Sequence, residues 1–268
     1  MQVDYLLKKG TKKLNEDAVL IGDDVFGVFD GASSSNSLTY EEEKTGGFLA
    51  SHIAKEVFQK NDSNLCNLFK KANNQLRLEM KNRKVNLKNK INLWATTLAV
   101  IKINFDSFDW IQVSDSLILI IFKDSTYKLL VDNYDHDKET LVLWREIAKQ
   151  KEKDIKSKLK KELAANRKRM NIDYGVLDGE LGAINFSKQG NEKLENVRHI
   201  LLFTDGLIVP KEDPRKNDNF DKLVELFLDK GLVGWSKYIN DLTKLDPYCW
   251  RFPRFSDRDD QAGIAITL

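Results

Sequence analysis

Two segments of this chain place an aspartate and a glycine directly after an apolar run that is rich in β-strand formers. Asp30 and Gly31 follow the first run, and Asp205 and Gly206 follow the second. Each run predicts a strand that delivers a carboxylate to its own C-terminal edge. An isolated Asp-Gly pair is typical of a hairpin turn, but its repetition after two apolar strands favours a shared site.

More acids stand beside strand-like segments at the two ends of the chain. Glu16 and Asp17 precede an early apolar segment, and Asp259 and Asp260 precede the last one. Mg²⁺ and Mn²⁺ prefer oxygen ligands, and a protein holds them with a few carboxylates on rigid elements. We therefore expect Asp17 and Asp259 to converge with the acids of the two Asp-Gly pairs on divalent cations.

Length and composition describe an ordinary globular protein. The chain has 268 residues, of which 41% are hydrophobic and 31% charged, and its formal net charge of +2 gives no global field for nucleic acid. Its longest apolar run, residues 117–122, is far shorter than the roughly 20 residues that span a bilayer. Cys66 and Cys249 are isolated, so we expect two small buried side chains, a cytoplasmic protein and no membrane partner.

The order of elements predicts an α+β fold rather than a βαβα parallel sheet. Residues 32–38 are predicted to form a loop, and a helix is predicted to begin at Thr39. Residues 93–103 and 110–122 read as the two strands of a hairpin, because their β-formers flank a short polar turn. Nothing resembling a linker divides the chain, so we expect one domain over residues 1–268.

A charged helical insertion is predicted at about residues 138–170. Its apolar positions have helical spacing, and lysine and arginine dominate residues 149–169. The pattern is typical of a solvated helix face or helical hairpin, and a basic arm for an acidic partner is the alternative. Further on, residues 220–228 and 235–242 are predicted to form two helices. The three histidines, His52, His136 and His199, are predicted to be structural or surface residues.

Six short motifs, taken in order, resemble those of the metal-dependent serine/threonine phosphatases of the protein phosphatase 2C type. The chain is similar to a divergent, bacterial member of that family, and the resemblance runs from Asn15 to the end of the chain. The motifs are Asn15-Glu16-Asp17-Ala18, Phe26-Gly27-Val28-Phe29-Asp30-Gly31, Ala95-Thr96-Thr97-Leu98-Ala99, Val113-Ser114-Asp115-Ser116, Leu201-Leu202-Phe203-Thr204-Asp205-Gly206-Leu207 and Arg258-Asp259-Asp260.

The resemblance implies a four-layer α-β-β-α sandwich with two central antiparallel sheets and a metal centre at one end. It implies two Mn²⁺ or Mg²⁺ ions, with Asp30 bridging them and the Gly31 carbonyl on one of them. Asp205 and Asp259 would complete the other ion. Glu16 or Asp17 would hold metal directly or through water. Asp115 falls where some members place a third, weaker ion together with the equivalent of Asp205.

The same resemblance implies hydrolysis of phosphoserine and phosphothreonine on proteins by a metal-bridging hydroxide. Asp30 and Asp205 would be the catalytic carboxylates, and Lys12 would bind the substrate phosphate. The implied partners are a phosphoprotein substrate and a serine/threonine kinase. Two positions depart from the family pattern: Ala32 stands where members carry a histidine that can donate a proton, and Lys12 stands where many carry arginine. Lysine keeps the charge but loses the bidentate fork.

Three other functions compete with this interpretation. An aspartyl-phosphate phosphatase of the haloacid dehalogenase kind needs an acid two residues after its nucleophile, where this chain has Ala32. A catalytically weak or inactive phosphatase-like regulatory or binding module is favoured by the two departures and disfavoured by retention of the metal acids. Nucleic-acid binding through residues 149–169 would show steeply salt-dependent affinity, and the near-balanced net charge does not favour it.

Overall fold

The computed structural model describes residues 1–33, 38–132 and 135–268. Of the predicted loop at 32–38, residues 34–37 lie outside the described residues. The strands are β1 (Gln2–Lys8), β2 (Ala18–Ile21), β3 (Val25–Ala32), β4 (Ala95–Ile103), β5 (Ser107–Val113), β6 (Leu117–Phe122), β7 (Tyr127–Leu129), β8 (Lys188–Lys193), β9 (Val197–Phe203) and β10 (Gln261–Thr267). The helices are α1 (Gly46–Gln59), α2 (Leu65–Asn82), α3 (Lys138–Ala148), α4 (Ile155–Lys158), α5 (Lys160–Lys168) and α6 (Phe220–Lys244).

The strands form two five-stranded antiparallel sheets. Sheet 1 has the order β1-β10-β9-β6-β7, and sheet 2 has the order β2-β3-β4-β5-β8. Strands that are distant in sequence are neighbours in both sheets, so the first and last strands of the chain pair with each other along β1 and β10. The predicted α+β class with two central antiparallel sheets is confirmed.

Three apolar layers hold the sandwich together. The strands alternate between two faces, so each sheet contributes one face to the space between the sheets and the other to a helical layer. Helices α1 and α2 cover the outer face of sheet 2, and α6 covers the outer face of sheet 1. The layers are therefore α-β-β-α, as predicted. The layer between the sheets contains Phe26, Val28, Ile118, Ile120, Leu202 and Ile264.

The predicted strand over residues 110–122 is wrong as a single element. It is two strands, β5 and β6, which belong to different sheets. Ser114 adopts a left-handed conformation with φ 60°, which ends β5 and turns the chain toward the other sheet. The Ser116 hydroxyl then bonds to the Thr97 hydroxyl at 2.7 Å, so the crossing is tied to β4. Asp115 lies in this crossing and so reaches the end of the sandwich.

The predicted helix start at Thr39 is also wrong. Helix α1 begins at Gly46, with Thr45 as its N-cap, and Glu41–Glu43 form a short 3₁₀ turn that includes positive φ angles. Gly46 packs so closely on Trp94 that an added Cβ would lie 2.3 Å from the indole ring. The fold therefore starts the helix at a residue with low helix propensity, because only glycine allows this contact.

The helical prediction for residues 138–170, here called the charged segment, is confirmed in α3, α4 and α5. The segment is not simply solvated, because Trp144, Ile155 and Leu159 are buried together against Cys249. The Trp144 indole also donates to the Cys249 carbonyl at 2.9 Å. Its apolar face is therefore packed onto the loop that precedes β10.

Other differences concern elements with weak sequence signals. The two helices predicted after residue 220 are confirmed as the two parts of α6, which are separated at Gly231 by a non-helical backbone with φ 63° and ψ −173°. Strands β7 and β8 were not predicted, and β8 is an exposed edge strand made almost entirely of polar residues. Within the described ranges, no helix combines the length and apolar character that a bilayer span requires.

Candidate metal centre

Strand alternation places polar side chains between the sheets at one end of the sandwich. In β3, Phe26 and Val28 face the apolar layer between the sheets, and Asp30 continues the same face two residues later. After β9, Thr204 likewise continues the face of Leu202. The layer between the sheets therefore changes from apolar to acidic and hydroxylated where these strands end.

Hydrogen bonds tie Asp17 to the second Asp-Gly pair. The Thr204 hydroxyl donates to Asp17 Oδ2 at 2.8 Å and accepts from the backbone N–H of Ala262 at 2.9 Å. Asp205 is the next residue and opens a short 3₁₀ turn. Asp17 is 3% exposed, so it is buried among these partners.

Five carboxylates act on one another strongly enough to place them in one group. The pKa of Asp30 is raised well above its usual value by burial and by the charges of Asp17, Asp115 and Asp259. The pKa of Asp205 is raised by burial and by Asp30, Asp259 and Asp115, and a hydrogen bond links it to Asp30. Burial raises the pKa of Asp17, and neighbouring carboxylates raise it further, whereas the hydrogen bond from Thr204 lowers it. We call these five residues the acid cluster.

The acid cluster is short of positive charge, which is the electrostatic condition of a cation site. Buried carboxylates normally have a cationic partner or lose their charge, and here the charge of Lys12 offsets only part of the burial and repulsion that raise the pKa of Asp30. Asp115 Oδ1 is buried and has no hydrogen-bond partner among the described residues. Among those residues, no three His, Cys, Asp or Glu side chains enclose an ion as they lie. The oxygen-only donor set nevertheless fits Mg²⁺ or Mn²⁺.

The adjacent acids Asp259 and Asp260 have different surroundings. Asp259 is exposed, and its Oδ2 accepts from the Ser256 hydroxyl at 3.0 Å. Asp260 is buried and accepts from the backbone N–H groups of Gly10 and Glu16, each at 2.8 Å. Asp260 therefore fixes the first acidic motif against the last, while the exposed Asp259 carboxylate accepts only local hydrogen bonds, the second of them from the Asp260 N–H to Oδ1 at 3.0 Å.

Glu16 lies beside the acid cluster with its oxygens already engaged. Lys12 Nζ donates to Glu16 Oε2 at 2.6 Å, and the hydroxyls of Ser33 and Thr45 both donate to Oε1. Burial opposes the charge of Lys12, but the carboxylates of Asp259 and Glu16 outweigh it and raise the pKa of Lys12. Glu16 thus holds the ammonium of Lys12 at the edge of the acid cluster.

Both Asp-Gly glycines are required by close backbone approach. An added Cβ at Gly31 would lie 2.4 Å from the Gly47 carbonyl oxygen at the start of α1. At Gly206, an added Cβ would lie 1.9 Å from the carbonyl oxygen of Asp260. Real Cβ atoms do not approach other atoms this closely, so the glycines allow the acidic motifs to pack against one another.

His136, which the sequence patterns did not single out, lies at this site with its side chain 14% exposed. Its imidazole stacks on Tyr174 with ring centres 4.1 Å apart and lies 3.7 Å from Asp115 Oδ2 and 3.6 Å from Asp137 Oδ2. Burial opposes its charge, but Asp137, Asp115 and Asp135 raise its pKa. The flanking aspartates in the sequence were the available signal. These contacts place His136 next to Asp115, and its structural or surface role stays a prediction.

The other histidines lie elsewhere. His52 stacks on Phe48, and His199 bonds to Thr267 at 2.9 Å.

A cleft of about 170 Å³ opens beside the acid cluster, and both acidic and basic side chains line its walls. Lys211 and Arg258 are among its lining residues, with Asp115, Asp205 and Asp259.

Solved serine/threonine phosphatases share this architecture. The phosphatase PstP/Ppp of Mycobacterium tuberculosis is 14% identical, with a TM-score of 0.61, and the match covers 100% of this chain and 98% of that one. The catalytic domain of PstP in complex with two manganese ions gives 14% identity and a TM-score of 0.58, over 98% and 96% of the two chains. PppA of Pseudomonas aeruginosa, described as a key regulatory component of T6SS, gives 13% and 0.59, over 100% and 97%.

These similarities define the class of fold, and the sequence identifies the family. The family profile described as Protein phosphatase 2C matches residues 10–235. The chain therefore belongs to the protein phosphatase 2C family, as the order of its motifs predicted. No sequence among the curated proteins matches it significantly.

Proposed function

We propose that this protein is a metal-dependent phosphatase that hydrolyses phosphoserine and phosphothreonine on proteins. The observation that carries the proposal is the acid cluster: five carboxylates from distant parts of the sequence meet at one end of the sandwich, and burial and mutual repulsion raise the pKa of three of them. Such a group is stable as ionised carboxylates only when cations neutralise it.

We assign two ions, Mn²⁺ or Mg²⁺, to the acid cluster. Asp30 would bridge them with the Gly31 carbonyl on one, and Asp205 and Asp259 would hold the other. Asp115, whose Oδ1 has no hydrogen-bond partner within the described ranges, would help to hold a third ion. Between the two first-motif candidates, the structure favours Asp17 as a ligand, directly or through water, because the carboxylate oxygens of Glu16 already accept three hydrogen bonds.

Bound cations would lower the pKa of water for attack on phosphorus and offset the charge that builds on the phosphoryl oxygens. The protein's own residues position the reactants. Asp30 and Asp205 are the catalytic carboxylates of the proposal, and Glu16 fixes the ammonium of Lys12 so that it can bind the substrate phosphate. Ala32 has no proton to give to the leaving alkoxide. That proton must come from water or from another side chain, and His136 is the histidine nearest the acid cluster.

The proposed substrate is a phosphoprotein, and the proposed partner is the serine/threonine kinase that phosphorylates it. The proposal places the protein in the cytoplasm, in agreement with its two unpaired cysteines.

A catalytically weak or inactive binding module is the second candidate, favoured specifically by Ala32 and Lys12. We retain the expectation of one domain over residues 1–268, with the charged segment as an insertion.

The decisive experiment is hydrolysis of p-nitrophenyl phosphate and of a phosphothreonine peptide by the purified protein. We expect turnover of both substrates with added Mn²⁺ or Mg²⁺, and loss of turnover on chelation with EDTA that excess Mn²⁺ restores. Asp106→Asn, an exposed acid in the β4–β5 turn, is the matched control for changes in the acid cluster and should retain full activity. Absence of turnover in a protein that binds Mn²⁺ would favour the binding module.

A further inference from the structure

The charged segment places a lysine on the loop that leads to Asp259. Lys156, in α4, donates from Nζ to the carbonyl oxygen of Phe255 at 3.2 Å. Its flanking residues Ile155 and Leu159 are buried in the cluster that contains Cys249, so the position of α4 on this loop is fixed by apolar packing. The ammonium of Lys156 is therefore held near the acid cluster by the fold.

The same loop contacts the segment that carries Lys12. The Thr11 N–H donates to the Arg258 carbonyl oxygen at 3.0 Å, and the hydroxyl of Ser256 bonds to Asp259 at 3.0 Å. Lys12 and Lys156, which are far apart in sequence, thus reach one loop from two different elements. Asp259 follows directly after Arg258 on this loop.

The two ammonium groups are close enough to affect each other. Burial of the ammonium lowers the pKa of Lys156, although part of the side chain is exposed, and the nearby charge of Lys12 lowers this pKa further. The carboxylates of Asp259 and Glu16 act in the opposite direction and raise it. Two other lysines of the charged segment, Lys149 and Lys158, form ion pairs with Glu146 and Glu152, each at 2.5 Å. Among the described residues, Lys156 forms no such ion pair. A pair of neighbouring cations beside a metal ligand is the complement of a phosphate dianion.

We propose that Lys156 and Lys12 together bind the phosphate of the substrate at the edge of the acid cluster. The inference rests on the proposed function and deepens it. Where a single arginine would offer a planar fork, this chain offers two point charges from separate elements. Lys12 is held by Glu16, and Lys156 is held by the Phe255 carbonyl, so both donors are positioned before phosphate arrives. The charged segment thereby contributes a residue to the site.

The test compares Lys156→Met with Lys161→Met, which removes an exposed lysine of α5 in the same segment. Methionine keeps much of the alkyl stem and its packing while it removes the charge. Calorimetric titration with inorganic phosphate in Mg²⁺ measures binding without turnover, and p-nitrophenyl phosphate kinetics measure KM and kcat. We expect Lys156→Met to raise both the phosphate Kd and KM about tenfold, with kcat within about twofold of wild type, as loss of one charge-assisted hydrogen bond predicts. Lys161→Met should leave all three values within about twofold.

The outcomes separate this inference from the proposed function. Equal weakening in the two variants would show a general charge effect and overturn the inference, as would an unchanged phosphate Kd in Lys156→Met or the absence of phosphate binding to the wild type. Selective weakening in Lys156→Met without turnover by any variant would support the phosphate site and contradict the proposed function. Lys156→Arg should restore phosphate binding, because it restores the charge.

Discussion

Asp30→Asn and Asp205→Asn are each expected to lower Mn²⁺-dependent kcat/KM by about 10³-fold, which corresponds to the several kcal/mol that metal-ion catalysis contributes. Each substitution removes an anionic ligand but keeps the size of the side chain. The measurement is p-nitrophenyl phosphate hydrolysis at saturating Mn²⁺, with Asp106→Asn as the control. Activity within about tenfold of wild type in either variant would contradict the assignment of these carboxylates to the metal centre.

The same two substitutions are expected to stabilise the metal-free protein. The pKa values of Asp30 and Asp205 are raised in the folded state, first by burial and then by neighbouring carboxylates. A raised pKa means that the folded state binds the proton more tightly than the unfolded chain. The resulting stability is present at acid pH and is lost as the pH rises through the folded-state pKa.

Asparagine cannot ionise, so the variants escape that loss. We expect them to unfold at a higher temperature than wild type in EDTA, by about 1 kcal/mol or roughly 2–4 °C, with a larger gain at pH 8 than at pH 5. Added Mn²⁺ should stabilise the wild type and have little effect on the variants, because only the wild type retains the full ligand set. A metal-free variant that is less stable than wild type at pH 8 would contradict the described charge balance.

Gly206→Ala is expected to destabilise the protein by about 3 kcal/mol, the upper part of the usual range for steric overpacking, and to abolish activity. The new Cβ would lie 1.9 Å from the Asp260 carbonyl oxygen, and this neighbour is backbone that cannot rotate away. Relief of the clash must displace the loop that carries Asp205, the strand that begins after Asp260, or both. Asp205 and Asp259 would then no longer meet.

Gly182→Ala is the matched control, since an added Cβ there has no atom within 4 Å and the backbone requires no left-handed conformation. Chemical denaturation of both variants, together with their Mn²⁺-dependent activity, provides the comparison. Gly182→Ala should unfold within about 0.5 kcal/mol of wild type and remain active. If Gly206→Ala behaved in the same way, the close packing between the second and last acidic motifs would be refuted.

The parts of the fold that sequence predicts are those with strong local patterns. Apolar runs rich in β-formers predicted β3 and β9, and helical spacing predicted the helices of the charged segment. The start of α1 was missed because it depends on the contact of Gly46 with Trp94, which local propensity does not encode. The division of residues 110–122 was missed because the Ser114-Asp115-Ser116 turn between two runs of β-formers has no glycine or proline to mark it.

The same distinction applies to the site. Asp30 and Asp205 follow apolar strands, so their approach could be predicted from strand geometry alone. His136 and Lys156 could not, because both lie in or beside the charged segment and reach the site only through tertiary packing on Tyr174 and on the loop that carries Phe255. Composition described that segment as solvated, whereas burial of Trp144 shows that it is packed against Cys249 on the loop that leads to Asp259.

The most direct test of the account is anomalous diffraction at the manganese edge from crystals grown with Mn²⁺. We expect two strong peaks at the end of the sandwich, with Asp30 contacting both ions and Asp205 and Asp259 contacting one, and a weaker third peak near Asp115. Peaks confined to other surfaces, or an acid cluster that stays empty at millimolar Mn²⁺, would contradict the central claim that these distant carboxylates form a metal centre.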